Sequence, residues 1–425
     1  MAKNLVFLAD GTGNDSDTSA STNVYKLYQR LRNDVPGHHR MSPDDVDAHL
    51  KSDGISQITQ YDRGVGSRKT DFVGKATGRG ISKNIKDGYE FLIRFYQPGD
   101  RVFLFGFSRG AYTVRSLSGL IGYCGIPRRQ AGDGDLLHDE PLRLQRVEDA
   151  YDIYKSHWGP EGYDKRKALG DQFIYEHGYE KHSNARDRAV YCIGVWDTVR
   201  SLGYARGWRD IEIPGFRHRF HDHELSRHVR YAFHALSIDD PRREFFPTIW
   251  NEPTRAQSIS WKSGGKNPQK FEQVWFPGVH SDVGGGYEES QLSDITLSWM
   301  IDKIRKVRTP PKFYALYDSS PKLALHPDPE GMMHDPEKTL FQKIFYHSDR
   351  RYVRRGKQYP GRRRIEPIEE PSPVSLAWLE RFVGKYDTAD PYDSDNMLDH
   401  PDVKKARSQV KKSKRPLRGP FKYFV

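Results

Sequence analysis

Ser108 stands between two glycines, in Gly106-Phe107-Ser108-Arg109-Gly110. The apolar run Val102-Phe103-Leu104-Phe105 precedes it, and Ala111-Tyr112-Thr113-Val114-Arg115-Ser116-Leu117 after it reads as a helix. A strand, a sharp turn with serine at its apex and a helix make a nucleophile elbow. Gly106 and Gly110 answer a steric need, because a side chain two residues either way would meet the neighbouring strand or helix. The helix N-terminus turns its N–H groups toward negative charge that develops beside Ser108. The bland reading of the same pentapeptide is a tight packing turn. Partners for the serine decide between the two.

A serine nucleophile needs a base, and the base needs an acid to orient it. In elbow enzymes they follow in the order serine, acid, histidine. Each belongs just past the C-terminal end of a core strand. Ala189-Val190-Tyr191-Cys192-Ile193-Gly194-Val195-Trp196 is such a strand and ends at Asp197. Phe271–Phe276 is another, followed by Pro277-Gly278-Val279-His280-Ser281-Asp282-Val283-Gly284-Gly285-Gly286-Tyr287. Asp197 is the expected acid and His280 the expected base. Their alternatives are a turn-capping aspartate and one of the chain's 17 histidines serving only a loop. Asp282 competes as the acid, but two residues from His280 it is better placed to support the glycine turn. An oxyanion needs two backbone donors. One is expected from Arg109. The other is expected from Gly11 or Thr12, which follow the strand Lys3–Ala9 in Asp10-Gly11-Thr12-Gly13-Asn14. Asp10 is expected to hold that loop's shape by accepting hydrogen bonds.

DGTGN, TNVYKLY, YDRGVGS, GYEFLIRFYQPGD, FLFGFSRGAYTVRSLSGLIG, GVWDTVRSLG and FPGVHSDVGGGY occur in that order. Together they resemble the α/β-hydrolase family long catalogued as a domain of unknown function, which includes the Tle-type phospholipase effectors of bacterial type VI secretion. The resemblance implies an α/β-hydrolase-like fold: a mostly parallel central sheet flanked by helices. It implies Ser108 as nucleophile, Asp197 as acid and His280 as base, with acyl esters of phospholipids as substrate. It leaves a secretion or immunity partner open. One departure is Gly13, where the family has an aromatic residue after DGT. Residues 307–425 carry no motif of the family.

The chain's 425 residues suffice for a hydrolase domain over 1–308 and a loop-rich basic appendage over 309–425. Residues 128–187 form a long polar insertion, read as a lid or cap, or else as a decorative helical excursion. No apolar run reaches 18 residues, so no transmembrane helix is expected. The N-terminus has no signal-peptide pattern, so a cytoplasmic chain is expected, with signal-independent export open. Cys124 and Cys192 do not make a disulfide framework.

The 68 Lys and Arg exceed the 57 Asp and Glu, giving +11. The excess gathers in Arg350–Arg364 and Lys404–Arg418. Such runs are ordinarily solvated. Any partner would be anionic, and peripheral contact with membrane headgroups is preferred to nucleic acid. His218, His221, His223 and His228 suggest a metal cluster only weakly, and surface histidines are the better reading. No metal or cofactor is called for.

Helices are expected over 22–33, 82–96, 223–237 and 290–308, and a strand over 56–61. The Gly-rich stretch around 64–80 lacks the G-K-[ST] ending of a phosphate loop and reads as a cover beside the site. The residues thus point to a serine esterase or lipase acting through an acyl-enzyme. The competing reading is an inert hydrolase-fold scaffold that binds an anionic membrane or nucleic acid.

Overall fold

The computed structural model describes residues 2–11, 20–37, 42–51, 54–64, 78–131, 134–156, 162–179, 190–199, 225–226, 228–240, 245, 247–250, 269–313 and 324–334. The chain opens with β1 (Asn4–Ala9), α1 (Asn23–Arg30), α2 (Pro43–Lys51) and β2 (Gln57–Asp62). Then come α3 (Gly78–Phe95), β3 (Arg101–Phe107), α4 (Arg109–Cys124) and the short pair β4 (Gln130–Ala131) and β5 (Gly134–Asp135). α5 (Glu140–Lys155), α6 (Tyr163–His177), β6 (Val190–Trp196), β7 (Val229–Ser237) and β8 (Lys270–Phe276) follow. The last elements are α7 (His280–Gly284) and α8 (Gln291–Arg305).

Six strands form one sheet in the order β2-β1-β3-β6-β7-β8, and every neighbouring pair is parallel. A parallel sheet needs helices on both faces, so its strands are apolar on both. β1 obeys this: all six of its residues are buried. Leu5, Phe7 and Ala9 pack with α3 and α4 in one core, and Val6 and Leu8 face α1 and α8 in the other. The crevice beyond the C-terminal ends of β1 and β3 is a topological switch point, because the chain runs outward from β1 in both directions. This mostly parallel sheet between helices is the expected fold.

Local signals explain the helix ends. Thr22 caps α1 by accepting from the Tyr25 N–H at 3.1 Å, and Asp139 caps α5 by accepting from the Leu142 N–H at 2.9 Å. Gly125 ends α4 at φ 64°, in the left-handed region that suits glycine.

Where residues 223–237 are described, they are not the expected helix. Val229–Ser237 is a strand inside the sheet, between β6 and β8. Its burial on both faces removes the period-2 signal that would have marked it. The described helices of the 128–187 insertion pack on the outer side of α4. A Cβ on Gly119 would meet the Tyr154 ring, and one on Gly170 would meet the Tyr123 carbonyl, both toward the end of α4 away from Ser108. Tyr151 and Tyr154 are core residues there.

The described parts of the 309–425 segment lie against the sheet and its helices. The Lys312 N–H donates to Gln57 Oε1 at 2.6 Å and the Thr309 N–H to the Tyr191 hydroxyl at 2.9 Å. The His326 N–H donates to Asp294 Oδ2 at 3.0 Å. The two basic runs, His218, His221 and His223, and most of the Gly-rich 64–80 stretch lie outside the described residues. Cys124 and Cys192 are both buried and unbridged. No helix among the described residues is long and apolar enough to cross a membrane.

Candidate active site

β3 runs straight into the elbow. The Ser108 N–H continues the β3–β6 ladder by donating to the Trp196 carbonyl at 3.1 Å. Ser108 then turns to φ 58° and ψ −120°, and α4 begins at the next residue. A non-glycine residue there is strained, and strain of this kind persists where the surroundings over-determine it. The surroundings are tight. A Cβ on Gly110 would lie 2.0 Å from the Ala9 carbonyl oxygen, and one on Gly106 would lie 2.5 Å from the Gly110 carbonyl oxygen. Both obstacles are backbone and cannot rotate away. Gly110→Ala should therefore cost on the order of 3 kcal/mol and lower the melting temperature by several degrees. A thermal melt that matches wild type would show that the elbow has room.

The three residues singled out from the sequence meet at this edge of the sheet. His280 Nε2 lies 2.8 Å from Ser108 Oγ, and His280 Nδ1 lies 2.6 Å from Asp197 Oδ2. Serine and histidine are 172 residues apart in the chain. A carboxylate accepts only, so Nδ1 carries the ring proton and Nε2 is left to accept from the Ser108 hydroxyl. All three side chains are buried, Asp197 wholly so. Asp197, like Ser108, has a positive φ, 35°. Its other oxygen, Oδ1, accepts from the Ser237 N–H at 3.0 Å. The imidazole is walled by the Phe107 and Phe245 rings, with centroids 4.6 Å and 4.8 Å away.

Asp10, just past the end of β1, collects several hydrogen bonds. Asp10 Oδ2 accepts from the Thr22 hydroxyl at 2.5 Å and the Tyr61 hydroxyl at 2.7 Å. Burial and the neighbouring Asp10 push the Tyr61 phenol well above its usual range. Burial also pushes Asp62, at the end of β2, up to about 6. One expectation needs correcting. The Gly11 N–H donates to Asp10 Oδ1 at 2.7 Å, so it turns toward its own neighbour's carboxylate and is not the open oxyanion donor that was expected. Thr12 lies outside the described residues. Arg109 is the first residue of α4, in the turn whose amides have no partner within a helix.

Asp282 is not the residue that orients the ring. Its Oδ2 accepts from the Val279 and His334 N–H groups, at 3.0 Å and 3.1 Å, and its Oδ1 lies 2.7 Å from His334 Nδ1. Burial pushes its carboxyl above the usual range, and those hydrogen bonds pull the other way. His334 in turn stacks on Tyr287 at 3.8 Å.

Sequence reading missed Ser237, Asp239, Asp240 and His234. The first three follow directly from the strand that was read as a helix. An acidic pair at the end of a core strand is a usable signal once the strand is recognised. His234 is wholly buried beside Thr198 and Gln273, at 3.2 Å and 2.9 Å, and burial holds it neutral, at about 3. Among the described residues no group of three or more His, Cys, Asp or Glu could hold a metal ion.

A parallel sheet between helix layers, with serine, histidine and aspartate hydrogen-bonded in a row at its carboxyl edge, defines an α/β-hydrolase-like protein. A sequence model of the type VI secretion phospholipase effector Tle1-like family, catalytic domain, matches residues 3–303, and the chain belongs to that family. An uncharacterized protein of Saccharomyces cerevisiae is 26% identical over 265 residues, covering 57% of this chain and 32% of the yeast protein.

Among solved structures, an uncharacterized protein from Pseudomonas aeruginosa is similar at 16% identity and TM-score 0.40, covering 76% of this chain and 48% of that one. A Tle1 effector, solved bound to the VgrG spike of the type 6 secretion system, is 15% identical at TM-score 0.31, covering 67% and 51%. Esterase 2 of Thermogutta terrifontis is 13% identical at TM-score 0.29, covering 73% and 86%. The chain spans about a third of the yeast relative's length and about half that of the first two structures.

Proposed function

We propose that this chain hydrolyses acyl esters of phospholipids by a serine mechanism. The observation that carries the reading is the unbroken hydrogen-bonded row Ser108–His280–Asp197 at a strained elbow. Ser108 Oγ attacks the ester carbonyl carbon and passes its proton to His280 Nε2. Asp197 holds the ring in the required tautomer and stabilises the imidazolium. The oxyanion forms at the N-terminus of α4, where the Arg109 N–H is one donor. The second donor is assigned to the Thr12 amide. His280 returns the proton to the leaving alcohol, and the acyl group stays on Ser108. Water, deprotonated by His280, then releases the fatty acid.

Family membership supports the substrate class. It also supports export without a signal peptide and a secretion-spike partner of the VgrG kind, as in the solved Tle1 assembly. The catalytic residues are assigned to a domain over 1–308 that is braced by contacts from residues up to 334, and the basic runs of the 309–425 appendage are assigned to contact with anionic headgroups.

The test is fatty-acid release from vesicles of phosphatidylethanolamine and phosphatidylglycerol, compared with a short soluble ester. Wild type should release fatty acid and take a fluorophosphonate label, and Ser108→Ala should do neither. Hydrolysis of the soluble ester alone would remove the phospholipid assignment. Absence of both label and hydrolysis in wild type would favour the inert scaffold.

A further inference from the structure

Resting on the triad reading above, we propose that the turn Ser237-Ile238-Asp239-Asp240, at the end of β7, positions the His280 ring, with Asp240 as the principal positioning residue. β7 lies between the strand that delivers Asp197 and the strand that delivers His280. Its end therefore touches both. Toward Asp197 it gives the Ser237 N–H, 3.0 Å from Oδ1. Toward the histidine loop it makes four contacts, two in which the turn donates and two in which it accepts. The Ile238 N–H donates to the Phe276 carbonyl at 3.1 Å, and the Ser237 hydroxyl donates to the Gly278 carbonyl at 2.9 Å. Asp239 Oδ2 accepts from the Gly278 N–H at 2.6 Å, and Asp240 Oδ2 accepts from the His280 N–H at 3.0 Å.

The last contact is the telling one. His280 is the first residue of α7, so its N–H has no partner inside that helix. A five-residue helix has little stability of its own, and its internal cap, in which Asp282 accepts from the Val279 N–H, leaves the His280 N–H to an outside acceptor. Asp240 holds that helix start from the turn after β7, and a charged acceptor makes a stronger bond than a neutral one. Asp240 is wholly buried. Burying a carboxylate is costly, and a plain loop contact would not call for one. The ring sits between two hydrogen bonds of 2.6 Å and 2.8 Å, so a shift of the helix start by about 1 Å takes Nε2 out of reach of Ser108.

The experiment measures kcat and KM for p-nitrophenyl butyrate, fluorophosphonate labelling rate and melting temperature in wild type, Asp240→Ala, Asp240→Asn, Ser237→Ala and Ser108→Ala. In Asp240→Ala, kcat and labelling rate should fall about 100-fold with KM within twofold. Asp240→Asn keeps an acceptor oxygen and should stay within about tenfold of wild type. Ser237→Ala loses the hydroxyl bond to Gly278 and should lower kcat about fivefold to tenfold. It carries the test if Asp240→Ala does not fold. Asp240→Ala within threefold of wild type overturns the inference, as does a loss in KM alone, no recovery in Asp240→Asn, or an unchanged Ser237→Ala. An active wild type and a dead Ser108→Ala beside any of these outcomes leave the triad standing. A wild type with neither hydrolysis nor label overturns the triad and this inference together.

Discussion

Ser108→Ala is expected to lower kcat for ester hydrolysis about 10⁵-fold to 10⁶-fold, with KM near the wild-type value. On the proposed mechanism the hydroxyl is the group that bonds to the substrate, so its loss removes the acyl-enzyme route altogether. His280 and Asp197 keep their own contact at 2.6 Å but have no oxygen to activate. What remains is slow attack by water, helped by the amides at the start of α4. The fold should survive, since the change removes one oxygen from a side chain that is 7% exposed. Steady-state rates on a soluble ester, with a thermal melt as control, check this. A well-folded variant that keeps more than about 1% of wild-type kcat would exclude Ser108 as the nucleophile.

Asp197→Asn should cost about 10⁴-fold in kcat, and the site's geometry explains why so small a change acts so strongly. Oδ1 already accepts from the Ser237 N–H at 3.0 Å. An asparagine must place its oxygen there, because its NH₂ cannot accept. The NH₂ then faces His280 Nδ1, which can only accept from it. That forces the ring proton onto Nε2, where it blocks transfer from Ser108. Shape and packing hardly change, so the loss should appear in kcat with the melting temperature within a few degrees of wild type. A fall of less than tenfold would mean that the tautomer is not set by this carboxyl group.

The site was largely legible because each part sits at a strand end that announces itself. Gly106 and Gly110 mark the elbow sterically. Asp197 and His280 follow short runs rich in β-branched and aromatic residues, bounded by turn residues, which read as strands. Asp282 was rightly set aside, since its geometry serves the loop and His334. The failures share one cause. Val229–Ser237 is flanked by strands and covered on both faces, so its residues alternate neither in polarity nor in size, and Arg230 and His234 imitate a helical polar face. With β7 misread, Ser237, Asp239 and Asp240 had no place in the site. The Gly11 amide failed differently. Backbone direction in a glycine loop is set by whichever acceptor is nearest, and here that is the carboxylate one residue earlier.

The described residues between the last helix and His334 have a practical meaning for anyone who wants to move this domain into another protein. The family match stops at residue 303, yet Lys312 closes over Gln57 at the rim of β2, and His334 braces Asp282 inside the short helix that begins with His280. A graft cut at the homology limit would leave the β2 rim uncovered and remove a strut from the base of the imidazole. The smallest transplantable piece is therefore longer than the shared ancestry suggests, and its far border lies no earlier than residue 334.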